Sequence, residues 1–174
     1  KEDGLKPNRT IYNTLGLIVN VFRSFPFIIL IVAISSFTRL VVGTSIGNTA
    51  ALVPITVGTA PFMARLIESS LNEVDKGLIE AAKSFGATNV QIIFKVMVKE
   101  SVPSIVLGVT LTIISVLGYT AIAGAVGAGG LGNVAIVYGY QQFDKNVMLF
   151  TVIALVILVQ IIQNLGDFLY KKLK

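Results

Sequence analysis

Residues 80–93 read Glu80-Ala81-Ala82-Lys83-Ser84-Phe85-Gly86-Ala87-Thr88-Asn89-Val90-Gln91-Ile92-Ile93. This run is the centre of a polar, helix-favouring insert, residues 71–101, set between stretches apolar enough to cross a bilayer. A long charged loop adds nothing to a protein's stability in a bilayer, so its presence points to a soluble partner that docks on it. Leu78, Ile79, Ala82 and Phe85 recur at helical spacing and make one apolar stripe, flanked by Glu80 and Lys83. Helical signals run from Glu73 onward. Gly86 fits a glycine just past a helix end. Thr88 with Gln91 three residues on is a capping-box pattern, which marks a fresh helix start. The apolar face of that second helix would carry Val90, Ile93, Phe94 and Met97. The predicted insert is therefore a helix, a glycine corner, a short second helix and then entry into a span. A loop lying on a membrane surface would also be amphipathic, but it has no need of the corner and the new cap. A rigid elbow suits the passage of force from a soluble motor.

Working outward, four apolar runs follow the chain: 11–37, 48–65, 102–123 and 147–165. Each approaches or exceeds the roughly 20 residues that a spanning helix needs. The first is interrupted by Arg23 and Pro26, the second carries Pro54 and Pro61, and the fourth has no charge. The chain is 54% hydrophobic and 13% charged, with a mean hydropathy of +0.82. That composition excludes a soluble domain and predicts an all-α, polytopic transmembrane helical bundle: one domain over residues 1–174 with a loop at 71–101 inside it.

Four spans place both termini and the insert on one side. Lys1, Lys6, Arg9, Arg65, Lys76, Lys83, Lys95, Lys99, Lys171, Lys172 and Lys174 then share that side, against Arg39 and Lys145 on the other. The excess predicts that the termini and the insert are cytoplasmic, with residues 1–10 as a polar tail. The net charge of +5 comes from these flanking positions and forms no stripe suited to nucleic acid. The absence of Cys and His excludes disulfides, thiolate chemistry and the commonest metal ligands. No Walker-type phosphate loop is present. No catalytic residue, metal site or cofactor is expected in this chain.

Several other features are ambiguous. Arg23 lies inside a span, where charge is costly; a structural role, holding the kink before Pro26, is ranked ahead of substrate contact. Ser104, Gly108 and Thr112 recur every fourth residue and suit tight helix packing near a dimer axis or a pore. Gly127-x-Gly129-x-x-Gly132 formally matches a dinucleotide fingerprint, but no strand precedes it, so close packing or a re-entrant turn is expected. Asn8-Arg9-Thr10 matches a glycosylation sequon and is read as chance. Glu68, Glu73 and Asp75 read as a solvated face. The outer connections, 38–47 and 124–146, are read as links, the second Gly-rich and then aromatic.

The insert resembles the Glu-Ala-Ala loop of ABC importer permeases: Glu80, Ala81, Ala82, Gly86 and the apolar Val96 fall in its pattern. Val98-Lys99 stands where many relatives have Pro. Longer strings are similar to the permease subunit of methionine ABC importers. They include Phe22-Arg23-Ser24-Phe25-Pro26-Phe27, Val42-Gly43-Thr44-Ser45-Ile46-Gly47, Val53-Pro54-Ile55-Thr56-Val57-Gly58 and Gly124-Ala125-Val126-Gly127-Ala128-Gly129-Gly130-Leu131-Gly132. The resemblance implies a bacterial inner-membrane permease acting as a homodimer, contacting lipid, two ATPase subunits that hold ATP and Mg, and an external methionine-binding protein. It also implies one further helix ahead of the first span. Residues coupling to the ATPase would be Glu80, Ala81, Ala82, Gly86, Ala87, Thr88, Asn89, Gln91 and Ile92. Arg23, Pro26, Ser104, Gly108 and Thr112 would be structural or pathway positions. An importer of the same class for another small solute is the alternative. A secondary transporter would need acidic relays within its spans, and none of the nine acidic residues lies in a predicted one.

Overall fold

The computed structural model describes residues 4, 5 and 7–174. Lys1, Glu2, Asp3 and Lys6 of the predicted polar tail lie outside the described residues. The described residues form nine α-helices in order: α1 Arg9–Ser24, α2 Phe27–Ala33, α3 Ser35–Val42, α4 Asn48–Asn72, α5 Lys76–Ser84, α6 Asn89–Gln91, α7 Val98–Ala123, α8 Leu131–Asn133 and α9 Lys145–Leu173. Two π-helical segments, Ile92–Met97 and Val134–Gln141, continue α6 and α8. No strand occurs among the described residues. Asn8, in the sequon, is the N-cap of α1 and accepts from the Ile11 amide at 3.0 Å.

Among the described residues, three helical runs are long and apolar enough to cross a membrane: Asn48–Asn72, Asn89–Ala123 and Lys145–Leu173. The predicted first span is not one helix. Phe25 is extended (φ −76°, ψ 124°), as the residue before a proline prefers. Pro26 brings no amide donor and starts a new helix, so α2 leaves α1 at 101°. α3 then carries the chain to the far end, where the left-handed Gly43 (φ +80°) stops it. The predicted second span ends too early at residue 65; the helix continues to Asn72. The second outer link is not an irregular loop either. Its residues from Leu131 to Gln141 form a short helix packed against α9.

The close approaches depend on missing side chains. A Cβ at Gly132 would overlap the Ala121 backbone, and one at Gly166 would overlap the Thr110 side chain. The glycines of the fingerprint-like run thus serve packing and turns, as predicted. Few side chains are buried. The core cluster is Phe27, Leu30, Ile31, Ala51, Ala123 and Ala128, where α2 tucks between α4 and α7. Most large apolar side chains, Leu40, Phe150 and Ile161 among them, lie on the outside. That distribution suits hydrocarbon solvent, since helices satisfy their own backbone groups there.

The start of α1, the carboxy terminus and the insert occupy one end of the bundle. The Tyr12 hydroxyl of α1 donates to Glu68 of α4 at 3.0 Å. Tyr170 and Lys174 of the carboxy-terminal segment share a cleft with Lys99 and Pro103 at the start of α7. At the other end, Gly129 N–H donates to Asn48 Oδ1 at 2.6 Å and Gly47 N–H to the Val126 carbonyl at 3.0 Å. These bonds tie the two outer connections together.

Candidate functional site: the elbow and the bundle it enters

The elbow forms as its local signals dictate. Asp75 caps α5, accepting from the Gly77 amide at 2.6 Å. The helix therefore starts at Lys76 and not at Glu73, which is the C-cap of α4. At its other end Gly86 has φ +76°. Its amide donates to the Lys83 carbonyl at 2.9 Å, and the Ala87 amide to the Ala82 carbonyl at 3.1 Å. This pair of bonds is a Schellman motif. Thr88 then opens the next helix: Gln91 N–H donates to Thr88 Oγ1 at 3.3 Å, and Thr88 N–H donates to Gln91 Oε1 at 2.8 Å. The predicted capping box is complete. Replacing Thr88 with Ala is expected to destabilise this helix start by about 1 kcal/mol, while Ser retains it. Hydrogen exchange at the Asn89 to Gln91 amides measures the difference.

Burial divides the elbow differently from the predicted stripes. Ile92 is fully buried, at 0% exposure, whereas Phe85 is 91% exposed. Leu78, Val90 and Phe94 are exposed too, and Ile79, Ala82 and Ala87 are half-buried. Of the predicted coupling residues, Glu80, Ala81, Gly86, Thr88, Asn89 and Gln91 are exposed on the elbow. Ile92 presents no surface and instead anchors the elbow from within. Ile92 opens the π-helical turn, while Val90, Ile93 and Phe94, three of the four residues predicted for the apolar face of this helix, are exposed together.

Two side-chain links fasten the elbow to the bundle. The buried Ser101 hydroxyl lies 3.1 Å from the Ser70 carbonyl and 2.6 Å from the Met97 carbonyl. The Ser104 hydroxyl donates to Glu73 Oε2 at 3.1 Å. The stripe predicted on Ser104, Gly108 and Thr112 faces α4 of the same chain: a Cβ at Gly108 would meet Leu66 at 3.4 Å, and Thr112 Oγ1 lies 3.8 Å from Met63 Sδ. α4 itself therefore occupies this face.

Glu68 is not simply solvated, as its sequence context suggested. It accepts from Arg65 at 2.5 Å and from Tyr12, and Arg65 also reaches Asn20 Oδ1 at 3.5 Å. No periodic signal flags this network, because it joins residues 56 apart. Arg23 and Pro26 sit at the bend between α1 and α2. Among the described residues the Arg23 side chain has no hydrogen bond or ion pair, so local pairing does not hold the kink. No group of three or more acidic residues that could hold a metal occurs among the described residues.

Residues 4–174 match the model of one family of transport components. The chain belongs to the binding-protein-dependent transport system inner membrane component family. This inner membrane component is 52% identical over 172 residues to a Vibrio cholerae protein described as probable D-methionine transport system permease protein MetI, covering 99% of this chain and 76% of that one. It is 50% identical over 160 residues to the Bacillus subtilis methionine import system permease protein MetP, covering 92% and 72%. Among solved structures, it is similar to a chain of the MetNI methionine ABC transporter in an inward-facing conformation. There the TM-score is 0.96 at 48% identity, over 100% of this chain and 81% of that chain. As a family member it is a membrane-embedded transport subunit built of apolar helices.

Proposed function

We propose that this chain is the permease subunit of an ATP-driven methionine importer, and that its elbow is the seat of a separate ATPase subunit. One observation carries the reading. The elbow is rigid and capped at each break, yet it leaves Leu78, Phe85, Val90 and Phe94 uncovered on an otherwise polar insert. Apolar side chains clustered on a polar loop mark a docking surface. Two copies of the chain form the translocation path, two ATPase subunits hold ATP and Mg, and a binding protein delivers methionine from outside. Relatives whose names specify methionine transport support the substrate.

Force enters through the elbow and leaves through both helices it is fastened to. Ser101 bonds the carbonyl of Ser70 at the end of α4, and Ser104 bonds Glu73 just beyond it. A displacement of the elbow therefore moves α4 and α7 together, as rocking between inward-open and outward-open packings requires.

The cations support a cytoplasmic elbow. Arg9, Arg65, Lys76, Lys83, Lys95, Lys99, Lys171, Lys172 and Lys174 fall at the elbow end, and Arg39 and Lys145 at the other, as the excess of cations on cytoplasmic loops leads one to expect. The chain has no native Cys, so single cysteines report sidedness directly. Phe85→Cys is expected to react with a membrane-impermeant maleimide only in inside-out vesicles, and Phe143→Cys only in right-side-out vesicles. Reversing the charge with Glu80→Lys is expected to reduce co-purification with the ATPase. Labelling of Phe85→Cys from outside would overturn the reading.

A further inference from the structure

Arg23 lies one residue before the end of α1, where the chain turns through 101° into α2. It lines a cavity of about 150 Å³ with Phe22, Phe25, Phe27, Phe62 and Tyr119. The chain has 10 Phe and 5 Tyr, so a third of its aromatic side chains meet at this one small space. Phe27 and Tyr119 stack there, with ring centroids 4.2 Å apart.

Arg23 lies inside the apolar run 11–37, and its side chain is exposed at this cavity. Ionisable side chains within membrane spans face a bundle interior or a water-filled cavity rather than lipid. No described residue neutralises it. Its guanidinium is a planar fork with five donors, shaped for two carboxylate oxygens. The aromatic walls suit an apolar or thioether side chain, because sulfur makes favourable contacts at ring edges. A volume near 150 Å³ admits a ligand of about the size of benzene, hence one side chain and not a peptide.

We propose that this cavity is a stopping point for the substrate on its way through the membrane. Arg23 takes the carboxylate of an apolar α-amino acid, and the aromatic wall takes its side chain. The inference rests on the importer reading above. The wall carries no carboxylate, so the ammonium group of the substrate stays in water. The site is weak by necessity, since a pathway site must also release.

The test uses the complete permease–ATPase complex in lipid nanodiscs without the binding protein, so that the latter's selectivity does not enter. Equilibrium binding of methionine, methioninol and N-acetylmethionine is measured to wild-type, Arg23→Gln and Arg23→Lys complexes. The difference between wild type and Arg23→Gln isolates this site from any on the ATPase. Arg23→Gln is expected to weaken that component by about tenfold or more, and Arg23→Lys by less, since Lys keeps the charge and loses the fork. On wild type, methioninol, which lacks the carboxylate, is expected to lose a similar factor, whereas N-acetylmethionine keeps most of the affinity. Gel filtration with the ATPase checks assembly. If Arg23→Gln fails to assemble, the difference between wild type and Arg23→Lys, taken with the analogues, decides. Unchanged binding in Arg23→Gln, equal binding of methioninol, or no binding to wild type overturns the proposal. Those results would leave uptake and ATPase assembly intact, whereas failure of the importer reading would abolish both.

Discussion

Replacing Gly86 with proline is expected to uncouple the elbow while the spanning bundle remains folded. Gly86 has φ +76°, and nothing lies within 4 Å of the position a Cβ would take. The requirement there is conformational and not steric. Gly86→Ala therefore isolates the strain of the left-handed region, about 1–2 kcal/mol. Proline does more. It fixes φ near −65° and removes the amide that donates to the Lys83 carbonyl at 2.9 Å. A loss of about 3 kcal/mol lowers the population of the intact corner by about a hundredfold. The order of methionine uptake in proteoliposomes should be wild type, then Gly86→Ala, then Gly86→Pro at near background. Thermal unfolding of the permease should change little, because the corner lies outside the packed helices. Full uptake by Gly86→Pro would show that the corner transmits nothing.

The opposite pattern is expected at Gly166. Here the backbone is ordinary helix, but an added Cβ would collide with the Thr110 hydroxyl and methyl groups on α7. Thr110 cannot swing aside freely, since it is 9% exposed and its hydroxyl donates to the Val106 carbonyl at 2.9 Å. Gly166→Ala is expected to push α9 from α7 and cost about 1–3 kcal/mol. The melting temperature of the detergent-purified protein should fall by several degrees. Thr110→Ala in the same chain removes the two closest clashing atoms and should restore part of the loss, a coupling of about 0.5–3 kcal/mol between contacting sites. A melting temperature unchanged in Gly166→Ala, with no coupling to Thr110, would show that the two helices are not packed this closely.

The contrast between these glycines separates what was legible in the chain from what was not. The corner at Gly86 and the capping box at Thr88 and Gln91 could be read directly, because each signal acts over three or four residues. The four apolar runs were equally plain. The elbow's burial was not. Ile92 and Phe85 are both apolar residues on a helical elbow, yet one is fully buried and the other lies almost bare. Pro26 announced a break, but not that the chain would leave at 101° and form the core cluster from α2. The aromatic residues around Arg23 come from three separate stretches of sequence, so only folding reveals the cavity.

Local chemistry, then, determined on its own the helical class, the membrane-spanning runs and the elbow with its corner and cap. Backbone conformation, helix ends and hydropathy are properties of neighbouring residues. Folding in three dimensions decided which side of the elbow stays uncovered, which glycines admit a neighbouring helix and what surrounds the Arg23 guanidinium. Those outcomes depend on side chains brought together from dozens of residues apart, where no local pattern records the partner.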